Sequence, residues 1–294
     1  MISSPYVQAE FQDGANKERS TAFNRRQFLW AAWAGAAGLA LPSAGFSQPT
    51  RPLAKFKLGL GTYTFRALDL DHVISRCKEM NLNFIELSHP QYMLPQGNLD
   101  EFRSVSGQLK SGGLDVMSWF CGHLTESSGI EAMVEGARSL GVKTVSGSAE
   151  RSLLDEINTA CGKAGLDFGI HNHYFRDRKF LYESPEDVLS AINGHPHIFS
   201  TLDTGHMIAF GIDPTEAYRK MKGHVRVIHV KDEDVPGHSV VLGKGKGNIA
   251  RFIRTLAHDS FPGLVAIEYE EGDDPKEEVS ECAQYVRGQV RLEA

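Results

Sequence analysis

The run Asp167-Phe168-Gly169-Ile170-His171-Asn172-His173-Tyr174-Phe175 is apolar until it meets two histidines. On a strand, alternate side chains point the same way, so His171 and His173 share one face and Asn172 opposes them. Such a pair either closes a buried polar network or begins a site for metal binding and proton transfer. Further along come Asp203-Thr204-Gly205-His206, His229-Val230-Lys231-Asp232 and Glu268. Asp203 also suits a helix cap, and His229, between two valines, also suits a satisfied core position. Glu268, between Ile267 and Tyr269, needs a cation if buried. Together His171, Asp203, His229 and Glu268 offer two imidazoles and two carboxylates to a single divalent ion. That set suits Mn, Fe, Co, Zn or Ni, admits Mg, and fits Ca poorly, because Ca prefers an all-oxygen shell.

An alternation of strand and helix from Lys55 onward must position these groups. Strands are expected over 58–64, 83–87, 114–120, 142–146, the opening run, 199–203, 225–230 and 264–268. Between them lie stripes of helical spacing, such as Ile130, Met133, Val134 and Ala137, or Val279, Cys282, Ala283 and Val286. Ser184-Pro185-Glu186-Asp187 reads as a helix start, with an N-cap, a first-turn proline and acids on the dipole. Eight strands, each followed by a helix, in about 240 residues match an α/β fold, the (β/α)8 TIM barrel. Residues 51–294 are then a single catalytic domain. A doubly wound open sheet is the competing arrangement. Leu242-Gly243-Lys244-Gly245-Lys246-Gly247 follows a polar loop, not a strand, so it reads as a flexible loop and not as a dinucleotide site. In a barrel, polar residues at the carboxyl ends of strands line the mouth. Six of the 12 histidines fall there: His89, His123, His171, His173, His206 and His229.

Composition excludes other classes. The 294 residues are 41% hydrophobic and 23% charged, with a net charge of −6, as in a globular protein and unlike a nucleic-acid binder. Residues 1–50 stand apart: Arg25-Arg26-Gln27-Phe28-Leu29 precedes an Ala- and Gly-rich run from Trp30 to Leu41. From Leu29 that run is shorter than the ~20 residues of a spanning helix, so no stable membrane span is expected. Paired arginines before a mildly apolar run look like a twin-arginine export signal. This reading implies the export machinery as a partner, a periplasmic or exported location, and a leader that is removed or disordered. Cys77, Cys121, Cys161 and Cys282 have no metal-binding spacing and read as small buried hydrophobes.

Four strings in order carry a resemblance: Leu202-Asp203-Thr204-Gly205-His206, Ile228-His229-Val230-Lys231-Asp232, Gly243-Lys244-Gly245-Lys246-Gly247-Asn248-Ile249 and Ile267-Glu268-Tyr269-Glu270. The chain resembles the xylose isomerase-like TIM barrels of the sugar phosphate isomerase/epimerase family, from about Lys55 to Arg291. The resemblance implies one divalent metal held by the last four strands, with Asp203, His229 and Glu268 matching its ligands directly. It also implies that His206 lies close to the substrate oxygens. Family members often read Glu-Asn-His on strand five, the glutamate being a ligand and, in epimerases, one of two carboxylate bases. Here the string is His171-Asn172-His173. His171 still ligates but removes that base and one negative charge. His173 becomes the candidate for proton transfer, with Glu268 the remaining carboxylate base.

Loss of a proton beside a sugar carbonyl leaves an oxyanion, which a divalent ion stabilises. Return of the proton gives an isomer or epimer; a leaving group β to the carbonyl is instead expelled, as in lyases acting on 3-keto-glycosides. No phosphate cradle is visible, so the expected small-molecule substrate is a free sugar or glycoside. Glu86, His89, His123 and Lys231 are the candidates for contacts to its hydroxyls. A non-catalytic exported sugar-binding protein is the third reading, and charge and ligand count disfavour an endonuclease. Homo-oligomerisation is left open.

Overall fold

A computed structural model describes residues 51–293. The proposed export signal lies outside the described residues. Eight strands form the wall: β1 (Lys57–Gly61), β2 (Phe84–Leu87), β3 (Asp115–Leu124), β4 (Thr144–Ala149), β5 (Asp167–His171), β6 (Ile198–Asp203), β7 (Val225–Val230) and β8 (Leu264–Ile267). All pair in parallel, and β8 returns to β1 with Leu264 beside Lys57 and Ile267 beside Leu60. That pairing closes the sheet and removes both edges, which an open doubly wound sheet would keep. The fold is a TIM barrel.

The outer layer follows from the amphipathic stripes. Helices α1 (Leu70–Glu79), α2 (Phe102–Ser111), α3 (Ser127–Leu140), α4 (Leu154–Ala164) and α5 (Pro185–Ile192) succeed the first five strands. α6 (Thr204–Phe210), α7 (Pro214–Lys220), α8 (Ile249–His258) and α9 (Lys276–Gln289) complete it. In α8 the stripe Ile249, Phe252, Ile253 and Leu256 is wholly buried. Ser184 caps α5 in a reciprocal box with Asp187, the start expected from the sequence. The four cysteines are free and buried in this core. Among the described residues, no helix is long and apolar enough to cross a membrane.

Three local departures bear on the site. β5 ends at His171, so His173 lies in the following loop, where its N–H donates to Tyr182 O at 2.9 Å. Directly after β6 comes α6, a short helix that the sequence reading did not separate. Finally, the glycine-rich run is pinned and not loose. The Asp232 carboxylate accepts the N–H groups of Gly243 (2.9 Å), Gly245 (3.1 Å), Gly247 (3.0 Å) and Glu233 (3.1 Å). A Cβ at Gly245 would lie 2.3 Å from Asp232 Oδ1, so only glycine lets the backbone close round the carboxylate. Charge-assisted bonds contribute about 1.5–3 kcal/mol each, and the anion is needed for all of them. The bonds are not additive, because the loop relaxes and water takes up most of the freed amides, so Asp232→Ala is expected to lower stability by about 2–3 kcal/mol net. A urea midpoint equal to that of the wild type would show that the loop holds without the anion.

Candidate metal centre

Asp203, the last residue of β6, is held from three directions. Asn172 clamps its backbone, accepting from Asp203 N at 2.9 Å and donating to Asp203 O at 3.0 Å. Asp203 Oδ1 caps α6 by accepting from His206 N at 2.9 Å. The cap reading and the ligand reading of this residue are therefore compatible, because the two oxygens divide the work. Oδ2 is buried and makes no hydrogen bond.

Around Oδ2 the candidate donors gather. His171 Nε2 lies 3.5 Å away and His229 Nδ1 3.8 Å away, while His229 Nδ1 is 3.3 Å from Glu268 Oε2. Two groups result, each with donor atoms within 4.8 Å of one another: His171, Asp203 and His206, and Asp203, His229 and Glu268. Asp203 belongs to both. The four residues expected as ligands thus meet, and His206, expected beside substrate, joins them. His206 also stacks against His173, with ring centroids 4.0 Å apart, and His171 lies 5.7 Å from His206. The first strand-five histidine is buried among the donors and the second is at the rim.

The other sequence candidates are placed differently. Glu86 is a correction: it is fully buried under the donors, hydrogen-bonded to His229 Nε2 and to Ser118 Oγ, and does not line the mouth. Lys231 is also corrected from a mouth position, since its ammonium is buried in the donor set. Nζ lies 3.3 Å from both Asp203 Oδ2 and Glu268 Oε2 and also contacts Glu270. His89 and His123 are engaged by the neighbouring strand's loop, His89 Nε2 with Leu68 O after β1 at 3.0 Å and His123 Nε2 with Glu150 Oε1 after β4 at 3.1 Å. Sequence reasoning missed Tyr63, Ser88, Met93 and Phe120, which line a small cleft together with His171, His206, His229 and Glu268. Tyr63 and Ser88 do follow strand ends, a signal that the histidine and carboxylate census passed over.

Charge explains why this cluster can be buried. Burial alone would raise the Asp203 and Glu268 carboxyls, but the Lys231 ammonium overrides it. Asp203 is held well below the usual carboxylate range, and Glu268 is lowered to about 2, with His229 assisting. Burial alone would lower His229, yet Glu86 and Glu268 flank the ring and hold it well above the usual value. His206 goes the other way: burial, then the neighbouring His173, keep it well below. Burial likewise lowers His171. His171 and His206 are thereby kept neutral, while His229 and Lys231 sit in an ionic lattice with Glu86, Asp203 and Glu268.

A divalent ion fits this donor set. Two of its atoms, Asp203 Oδ2 and His229 Nδ1, are buried without a hydrogen bond; the Lys231 ammonium, 3.3 Å from Oδ2, balances that charge, and His229 Nδ1 is the donor left for a metal to engage. The mixture of nitrogen and carboxylate donors is that of a transition metal. Asp203, His229 and Glu268, with His171 or His206, would hold it.

Residues 74–288 match the model of a family described as the xylose isomerase-like TIM barrel. No curated protein matches the sequence. Among solved structures, a 3-keto-D-glucoside 4-epimerase from E. coli is similar over 80% of this chain and 100% of its own, at 16% identity and a TM-score of 0.65. A probable 3-DHS dehydratase from Bacillus anthracis covers 79% and 99%, at 16% identity and a TM-score of 0.63. D-psicose 3-epimerase from Clostridium cellulolyticum covers 80% and 99%, at 13% identity and a TM-score of 0.62. At these identities the likeness is one of fold.

Proposed function

The chain belongs to the xylose isomerase-like TIM barrel family, and from that premise we propose that it is a divalent-metal-dependent carbohydrate isomerase or epimerase. The reading rests on one observation, the convergence of Asp203, His229, Glu268, His171 and His206 on a shared space at the barrel mouth. Mn, Co, Zn, Fe or Ni suits these donors. Such an ion polarises a carbonyl and stabilises charge on its oxygen. The solved epimerases of the same fold act on keto sugars, which supports a free sugar or glycoside as substrate. Export by the twin-arginine route is part of the proposal and rests on Arg25-Arg26 and the apolar run behind them.

The chain's own residues do the proton work. His173 takes the proton from the carbon beside the carbonyl, and the C–H electron pair passes toward the carbonyl oxygen, giving an enediolate. Glu268, whose carboxyl the Lys231 ammonium holds at about 2 against its burial, is the remaining carboxylate base of the site. His206, neutral and 4.0 Å from His173 between ring centroids, is the adjacent partner. Return of the proton by His173 to the neighbouring carbon completes an aldose–ketose isomerisation, and its return from a second group to the opposite face of the same carbon completes an epimerisation.

That same pairing favours a second reading, a lyase acting on 3-keto-glycosides. His173 removes the proton and, now an imidazolium, gives it up to the departing aglycone oxygen, directly or through the adjacent His206, as the C–O bond breaks. The test is metal analysis of the purified protein, then a panel of ketoses, aldoses and a 3-keto-glycoside with Mn in heavy water. Isomerisation predicts deuterium beside the carbonyl and no aglycone; the lyase predicts free aglycone. Neither product, with metal bound, leaves only a sugar-binding protein. In His173→Ala the metal content stays while turnover falls about 10²–10⁴-fold, the usual worth of a proton-transferring side chain. Wild-type turnover would refute that assignment.

A further inference from the structure

Glu86 is a fully buried strand-end carboxylate that belongs to neither donor group, and its surroundings give it a task. It comes from β2, yet its carboxylate crosses the barrel interior to bond His229 Nε2 on β7. Ser118 on β3 donates to Glu86 Oε1 at 2.8 Å. Ser118 in turn meets Ser146 on β4 at 3.2 Å, and Ser146 meets Thr201 on β6 at 2.7 Å. These side chains are all fully buried. A Cβ at Gly169 on β5 would lie 2.4 Å from Thr201 Oγ1, so the glycine clears space for the end of this chain. Four strands thus anchor one carboxylate on one ring.

A histidine can present either nitrogen to a ligand, and a carboxylate on one of them decides which. With Nε2 given to Glu86, the atom left on the donor side is Nδ1, 3.3 Å from Glu268 Oε2 and 3.8 Å from Asp203 Oδ2. We propose that Glu86 is a positioning residue: it locks the His229 ring with Nε2–H pointing down and Nδ1 facing the cation site. This rests on the metal reading above for its consequence, but the lock itself exists without an ion. A role in binding substrate, which the strand-end position alone suggested, is closed to a side chain under the donors.

Two readouts separate the lock from its consequence. In protein carrying isotope-labelled histidine, the His229 Nε2–H proton, buried against a carboxylate, gives a slowly exchanging, far-downfield resonance. Glu86→Gln keeps an acceptor there and moves that resonance upfield, whereas Glu86→Leu abolishes it. In calorimetric titrations with Mn, Glu86→Gln weakens binding about 10–100-fold, the usual cost of removing a ligand's carboxylate partner. Ser118→Ala, which removes one anchor and no charge, weakens Mn binding by a smaller factor and serves should Glu86→Leu fail to fold. An unmoved resonance in Glu86→Gln overturns the proposal, and so does Mn affinity equal to wild type in both Glu86→Gln and Ser118→Ala. If wild-type protein binds no Mn while the resonance responds to Glu86, the metal reading fails and the positioning role stands.

Discussion

Asp203→Asn is expected to lose its metal and its turnover while keeping its fold. The substitution preserves the shape of the side chain, and an amide oxygen can still cap α6 by accepting from His206 N. It removes the charge on Oδ2, the atom common to both donor groups. Losing a carboxylate that merely supports a ligand costs about 10–100-fold, so losing a shared direct donor costs at least ~100-fold in metal affinity. Asp203→Ala should show the same metal loss and, in addition, about 1 kcal/mol lower stability, because the cap goes with it. Comparing the pair by elemental analysis and urea unfolding separates the oxygens' two tasks. Full metal content in Asp203→Asn would dismiss the site. Metal uptake by the wild type should also weaken as pH falls, since Glu86 and Glu268 favour a protonated His229 and binding must expel its Nδ1 proton.

Lys231→Met tests the internal cation. In the metal-free protein the ammonium stands between Asp203 and Glu268 and touches Glu270, so its removal leaves buried carboxylates facing one another. Breaking a buried ionic cluster by deleting one partner costs about 3–5 kcal/mol, far more than the slight gain from an apolar chain of similar length. For a domain of this size that is a fall in Tm of roughly 10 °C in chelator. Added Mn supplies positive charge to the same oxygens and should restore much of the loss. The pH dependence gives the sign of the effect. Glu268 is lowered from its ordinary 4.5 to about 2, so its contribution is fully present above pH 4.5 and fades as pH falls through about 2. In Lys231→Met its main stabilising charge is gone, so the variant's metal-free stability should fall less steeply on acidification. A variant as stable in chelator as the wild type would mean that the carboxylates tolerate one another unaided.

Much of this was legible in the chain. Apolar runs at strand spacing, helical stripes and caps such as Ser184 follow from local stereochemistry, so the count and order of elements could be read directly. Because a barrel puts every strand's carboxyl end at one mouth, His171, Asp203, His229 and Glu268 could be named as a set before any coordinates. The cysteines, too, were buried as their stripes implied. The glycine-rich loop was misjudged because its order comes from Asp232, at least eleven residues earlier in the chain. Composition alone suggests mobility; a buried anion surrounded by amides removes it.

What only the tertiary structure decided is the depth of each polar group. Glu86 and Glu268 look alike in the sequence, each a carboxylate at the end of an apolar strand. Glu86 pairs in register with Ser118, at an irregularity in the β2–β3 ladder, and its side chain turns into the closed interior toward β7. Glu268 lies one residue beyond β8 and faces the donors. Lys231 shares its strand-end pattern with residues on the rim, but closure brings Asp203 and Glu268 within 3.3 Å and draws it inside. Periodicity along one strand states which face a residue takes. How far below the mouth it lies, and which charge waits there, depends on strands that pair across the closed ring.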